Sequence, residues 1–178
     1  ADLVAKAGGG RAANRGEEPA GPVDALDPTQ VIDVSGFMDA KGRLRWTPPP
    51  GDWTVLRFGH TATGAKNVAA SDTGIGLECD KFSRAALDFH FEKYFGQVRD
   101  VMRKLGKRGL AGALVDSYET GQQNWTAGFP GEFEKRRGYA ITRYMPALTG
   151  RIVGSPEITE RFLWDFRRVL ALLMEDHY

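Results

Sequence analysis

A chain of 178 residues, 42% hydrophobic and 26% charged, is long enough for one domain with a core of its own and has the composition of a soluble globular protein. Its net charge of +1 gives no global attraction for nucleic acid, and no apolar run approaches the ~20 residues that a bilayer-spanning helix needs. The single cysteine, Cys79, excludes an internal disulfide. The local clusters Arg103-Lys104 with Lys107-Arg108, and Lys135-Arg136-Arg137, are interleaved with apolar positions and read as solvated helix ends. The chain opens on Ala1 without a basic stretch ahead of an apolar one, so no signal peptide is visible and the start reads as processed or cut away.

In chain order, residues 1–28 are rich in Ala, Gly, Pro and charge and predict a flexible linker or tail. Residues 29–58 predict a small antiparallel β unit. Val31-Ile32-Asp33-Val34 is β-branched, Asp39-Ala40-Lys41-Gly42 is a turn, and Pro48-Pro49-Pro50-Gly51-Asp52 is a second turn ahead of the alternating Trp53 to Phe58. A polar loop then runs to about Asp80. Ser83 is placed to cap a helix whose face carries Leu87, Phe91, Tyr94, Phe95, Val98, Met102 and Leu105, with Gly106 as its stop. Leu110 to Val115 is apolar without alternation, the signature of a parallel strand buried on both faces. Helix, buried strand and polar cluster in succession give the rhythm of an α/β protein. Short helical turns are expected at 130–137, ending on Gly138, and at 142–148. Ser155-Pro156-Glu157 begins a long helix with Ile158, Phe162, Phe166, Val169 and Leu173 along one face.

Residues just past the carboxyl end of a parallel strand face the ligand crevice of such folds. Asp116 and Glu119 stand there, with Asn124 and Trp125 shortly after. A carboxyl group in partial burial can give a proton to a leaving oxygen, an aromatic ring can pack on the apolar face of a sugar, and Asn can bond hydroxyls. The competing reading is a solvated loop in which Asp116 caps a helix. Glu78 and Asp80 lie two apart and in an extended segment face the same way, suiting a Ca²⁺ ion or sugar hydroxyls. The alternative there is a loop leading into the helix, with Lys81 pairing one acid. His60, Lys66 and Asn67 follow a predicted strand and suit a hydroxylated ligand, while a lone His is also commonly structural. Serine-hydrolase elbows, paired-His metalloprotease motifs, Walker loops and dinucleotide fingerprints are absent from the sequence.

Several ordered stretches together carry a resemblance. They are Trp53 to Thr61 with Thr63-Gly64-Ala65-Lys66-Asn67, then Gly76-Leu77-Glu78-Cys79-Asp80-Lys81, then Asp116-Ser117-Tyr118-Glu119 with Gln123-Asn124-Trp125-Thr126, and finally Phe133 to Tyr139 with Arg161 to Asp165. From about Val31 to Tyr178 the chain resembles glycoside hydrolase family 106, the α-L-rhamnosidase-like enzymes of bacteria. Ala140 and Arg143 depart from the family pattern, where an acid and a proline are expected.

The resemblance implies a (β/α)₈, TIM-type catalytic barrel with accessory β-rich domains, of which residues 59–178 would be the N-terminal part. A complete barrel takes ~250 residues, so the remainder is expected from sequence beyond this chain. It further implies inverting hydrolysis of terminal α-L-rhamnosyl residues of an oligosaccharide or polysaccharide, a Ca²⁺ ion near the site, no organic cofactor, and export to the periplasm or medium. By motif match Glu119 is the general acid, and no residue here matches the base. Asp116, His60, Lys66, Asn67, Asn124 and Trp125 would contact sugar, and Glu78 and Asp80 the ion. A non-catalytic carbohydrate-binding module using Trp46, Trp53 and Trp125, or a degenerate family member, are the rival readings. Nucleic acid and membrane are not expected partners.

Overall fold

The computed structural model describes residues 24–67, 70–114 and 123–177. The chain divides into two compact units, Ala1–His60 with Phe129–Val169 and Thr61–Gly128 with Leu170–Tyr178.

In the first unit, strand β1 (Ala25–Leu26) pairs in parallel with β2 (Ile152–Val153), in the register Ala25 to Ile152 and Leu26 to Val153. This places ordered structure inside the stretch that composition assigns to the linker. A 3₁₀ turn at Pro28–Gln30 follows, capped by Asp27, whose Oδ1 accepts from the Thr29 amide at 2.8 Å and its hydroxyl at 2.7 Å.

The expected antiparallel unit is not built as a ladder. Across 29–58 the described residues show one isolated antiparallel bridge, Met38 to Leu44, closed over the predicted turn. Asp39 organises that turn, its Oδ1 accepting from the amides of Lys41 (2.9 Å) and Arg43 (3.0 Å). Gly42 sits at φ +75, and a Cβ there would lie 2.9 Å from the Arg57 guanidinium. Residues 53–58 therefore approach the turn through a side chain, without ladder bonds. Three consecutive prolines ahead of Trp53 remove three donors, and alternation alone supplies no partner strand. Trp53 turns its indole N–H back onto the Pro49 carbonyl at 2.9 Å and meets Trp46 edge-on.

Helix α3 (Phe129–Arg137) and the first part of α4 (Pro156–His177) make the core of this unit. Phe129, Phe133, Phe162 and Phe166 are buried together, with Tyr139 edge-on to Phe133 and Tyr144 stacked on Phe162. Fully burying each such ring is worth roughly 1.5–3 kcal/mol, which makes this cluster the main source of cohesion. A 3₁₀ segment at Ile141–Thr149 contributes Ile141 and Ala147. Ser155 caps α4 as expected, accepting from the Ile158 amide at 3.2 Å. Thr159 is buried, and its hydroxyl both accepts from the Val153 amide (2.8 Å) and donates to the Val153 carbonyl (3.1 Å), joining β2 to the helix. Ile158, expected on the buried face, is exposed instead.

In the second unit the helix predicted from Ser83 is present as α1 (Arg84–Phe91), a π turn (Glu92–Gly96) and α2 (Gln97–Lys104). The Ser83 hydroxyl accepts from the Ala86 amide at 3.4 Å. The π turn stacks Phe91 on Phe95 and lets Arg99 reach Glu92 with two N–H···O contacts of 3.0 and 3.3 Å. At the far end Gly106 takes φ +67, its amide bonding Arg103 and the Lys107 amide bonding Met102, the paired closure that a left-handed residue permits. The expected face is only partly covered, for Phe91, Tyr94, Val98 and Leu105 are exposed.

The buried strand expected at Leu110 to Val115 is not seen over its described residues. Residues 110–114 form no strand, and Leu114 is 89% exposed. A parallel strand takes its ladder from neighbours on both sides, and among the described residues none pairs with this run. The parallel ladder found among the described residues is the two-residue β1–β2 pair, so they show a mixed helix-and-strand structure without a barrel. Among them, no helix is long and apolar enough to cross a membrane.

Candidate functional site

Glu119 and Asp116 lie outside the described residues. The second unit draws together other stretches that carry the resemblance. Residues 65–67 run beside 76–78 through the Lys66–Leu77 bridge, with the Asn67 amide bonding the Gly76 carbonyl at 3.1 Å and the Glu78 amide the Ala65 carbonyl at 3.0 Å. Asn67 closes this loop with its side chain too, accepting from the Gly76 amide at 2.7 Å and donating to the Gly74 carbonyl at 3.0 Å. Its amide group thus shapes the loop, while the Lys66 residue is exposed.

The second stretch meets the third at Asp80. Gln123 Nε2 donates to Asp80 Oδ1, and the Thr126 hydroxyl donates to Asp80 Oδ2 at 2.7 Å. Oδ1 also accepts from the Phe82 amide at 3.0 Å, and Gln123 Oε1 accepts from the Lys81 amide at 3.2 Å. Between the two anchors stand Asn124 and Trp125, both half-buried. Lys81 is buried, and its ammonium contacts Glu78 Oε2 at 2.6 Å, the pairing weighed as the alternative for this stretch. Cys79 is a half-buried free thiol. His60 is exposed and falls in the first unit.

Glu78 and Asp80, read as calcium ligands, are here engaged with protein groups. Both Asp80 oxygens already accept hydrogen bonds, and a cation at Glu78 would have to displace the Lys81 ammonium. Among the described residues no group of three or more His, Cys, Asp or Glu is placed to hold a metal. Gln123 and Thr126 were not singled out in the sequence for their own chemistry. Their partner lies 43 and 46 residues away along the chain, a separation that no local pattern signals.

The first unit holds a separate open depression of about 420 Å³, lined by residues including Arg137, Tyr139, Tyr144, Arg161, Phe162 and Asp165. Asp165 is buried there. It accepts from the Tyr139 hydroxyl at 3.0 Å and pairs with Arg137 at 3.4 Å and Arg161 at 3.6 Å. Burial, and then the bond to the Asp165 carboxylate, push the Tyr139 phenol well above its ordinary pKa. Both guanidinium groups lie over the Trp164 ring. The sequence placed 133–139 and 161–165 within its family resemblance but assigned them no chemistry.

A family model described as alpha-L-rhamnosidase, glycoside hydrolase family 106, matches residues 6–178. The chain belongs to this family. A rhamnosidase from Novosphingobium sp. PP1Y has a solved structure that superposes with a TM-score of 0.72 at 36% identity, over 85% of this chain and 15% of that one. A Formosa agariphila protein named "Putative beta-glucuronidase" is 46% identical over 152 residues, 84% of this chain and 13% of that protein. The family 106 segment described here therefore spans between an eighth and a sixth of the length of these relatives.

Proposed function

We propose that this chain is a segment of a glycoside hydrolase that removes terminal α-L-rhamnosyl, or closely similar, residues from an oligosaccharide or polysaccharide by inverting acid–base chemistry. The convergence of 65–67, 76–81 and 123–126 in one unit is the observation that carries the reading, because it brings together three of the stretches that carry the family resemblance, with polar and aromatic groups suited to a sugar. Glu119 protonates the glycosidic oxygen as the bond to the anomeric carbon breaks. A second carboxylate, ~6.5–9.5 Å from it in inverting enzymes, takes a proton from the attacking water and comes from elsewhere in the protein. Asp116, Lys66, Asn67, Asn124 and Trp125 bind or shape the site of the sugar. The chain supplies the first part of a (β/α)₈ barrel whose remaining strands complete the sheet. Calcium enters no step of this proposal, since Glu78 and Asp80 are engaged with protein partners. Export to the periplasm or the medium is part of the same reading, and the family membership supports it.

A uronide in place of the rhamnoside is the second reading, favoured by the name of the 46%-identical relative. Both readings are tested by assaying the natural full-length protein on aryl α-L-rhamnosides and aryl β-D-glucuronides and following the first-formed sugar by proton NMR. Rhamnoside cleavage with β-rhamnose appearing first is the expected result. Glucuronide cleavage alone would move the assignment to the second reading, and retained configuration would exclude the inverting mechanism.

A further inference from the structure

Gln123 and Thr126 flank Asn124 and Trp125, and both flanks close on the two oxygens of one carboxylate. We propose that Asp80 is a positioning residue: by hydrogen bonds rather than by ligating an ion, it fixes the Gln123–Thr126 tetrapeptide so that Asn124 and Trp125 are presented to the sugar. The inference rests on the proposed function for what Asn124 and Trp125 contact, but not for the tie itself.

Four features make the tie directional. Asp80 is fixed to the head of α1, since its Oδ1 accepts from the Phe82 amide at 3.0 Å and its carbonyl accepts from the Ser83 amide at 3.2 Å. Gln123 can serve in one orientation only. Its Nε2 faces Asp80 and its Oε1 faces the Lys81 amide at 3.2 Å, so a flipped amide would set donor against donor and acceptor against acceptor. Thr126 is buried, 7% exposed, so its hydroxyl needs an internal acceptor, and Asp80 Oδ2 at 2.7 Å is one. The positive charge of this corner is a lysine: Lys81, also 7% exposed, faces Glu78 at 2.6 Å. A divalent ion between Glu78 and Asp80 would meet that ammonium, so any calcium the family uses draws on other ligands.

Asn at position 80 loses the negative charge that strengthens these hydrogen bonds, and its NH₂ can face only Thr126, whose hydroxyl must then turn from donor to acceptor. Displacing groups that contact a non-reacting part of the substrate weakens ground and transition state alike, which raises KM and spares kcat.

The experiment compares wild type, Asp80→Asn, Thr126→Val, Trp125→Ala and Asp80→Asn/Trp125→Ala in the natural full-length protein. Steady-state kinetics use p-nitrophenyl α-L-rhamnopyranoside, amide exchange of the 123–126 segment is read by mass spectrometry, and Ca²⁺ binding is read by calorimetry. Asp80→Asn is expected to speed exchange in that segment at least about tenfold and to raise KM about tenfold with kcat changed less than about threefold. Thr126→Val shifts both in the same direction by less, and stands in if Asp80→Asn does not fold. Adding Asp80→Asn to Trp125→Ala raises KM by a smaller factor than Asp80→Asn does alone, because one of the two side chains being positioned is already gone. Calcium affinity is unchanged in Asp80→Asn and in Thr126→Val. Unchanged exchange, fully multiplicative KM effects, or loss of calcium binding in Asp80→Asn with Thr126→Val unaffected would each overturn the proposal. A wild-type protein inert toward this rhamnoside refutes the rhamnosidase reading, and the exchange data then decide the role of Asp80 by themselves.

Discussion

Replacing Asp165 by Ala probes how far buried charge, rather than aromatic packing alone, holds the first unit together. The carboxylate is 4% exposed and is the shared partner of the Tyr139 hydroxyl at 3.0 Å, Arg137 at 3.4 Å and Arg161 at 3.6 Å. Removing it strands the Arg137 guanidinium, whose Nε and Nη2 are already buried without a hydrogen-bond partner among the described residues. Breaking a buried pair from one side costs about 3–5 kcal/mol, most of it the penalty of the charge left behind. At about 1.4 kcal/mol per tenfold, that corresponds to a fall of roughly two to three and a half decades in the protection of α3 and α4 amides against hydrogen exchange, wherever these open with the unit. Arg161 is largely exposed and contributes little to the total. The assay is exchange on the natural protein, with Tyr139→Phe as comparison. That variant removes one bond to a charged acceptor, about 1.5–3 kcal/mol, and leaves the ion pairs in place. A loss below about 1 kcal/mol for Asp165→Ala would mean that the cluster behaves like a surface pair, and the burial argument would be wrong.

Tyr139 also predicts an alkaline limb. Its phenol is held protonated in the fold, so below the ordinary tyrosine pKa of about 10 both states keep the proton and the contribution is complete. Above about pH 10 the unfolded chain releases a proton that the fold retains, so the stability advantage of wild type over Tyr139→Phe should shrink as pH rises from 9 to 11, and a constant difference counts against it. Ser155→Ala removes the hydroxyl that the Ile158 amide bonds at 3.2 Å and should cost about 1 kcal/mol, measured by exchange at the first turn of α4. The purified 178-residue chain should show no rhamnosidase turnover, because no residue of it is matched to the base; measurable activity would contradict that.

The helices were legible because spacing and end signals agreed. Ser83 with Gly106 and Ser155 with Pro156 each mark a terminus by local chemistry, and the structure uses those residues as read. The strands were not legible, because a strand is defined by its partner. Trp53 to Phe58 alternates and Leu110 to Leu114 is continuously apolar, yet neither forms a ladder among the described residues, while the two-residue pair β1–β2 joins positions that no pattern marked. Ile158 and Thr159 show a finer limit: helical period predicted the face but not which neighbour turns inward, and a buried threonine bonded to both polar groups of Val153 took the place. At the candidate site the residue types were readable, but the tie from Asp80 to Gln123 and Thr126 was not, because these partners are distant in sequence. The family resemblance, carried by ordered motifs, was the part of the functional reading that sequence supplied most directly.

The acid role of Glu119 is tested most directly by comparing Glu119→Gln with wild type in the natural full-length protein, on an alkyl rhamnoside and on a dinitrophenyl rhamnoside. General-acid assistance is worth about 10²–10⁴-fold where the leaving group needs a proton. The variant should lose about that much on the alkyl substrate and far less on the dinitrophenyl one, whose phenolate leaves unprotonated. Equal losses on the two, or full activity on the alkyl rhamnoside, would contradict the assignment.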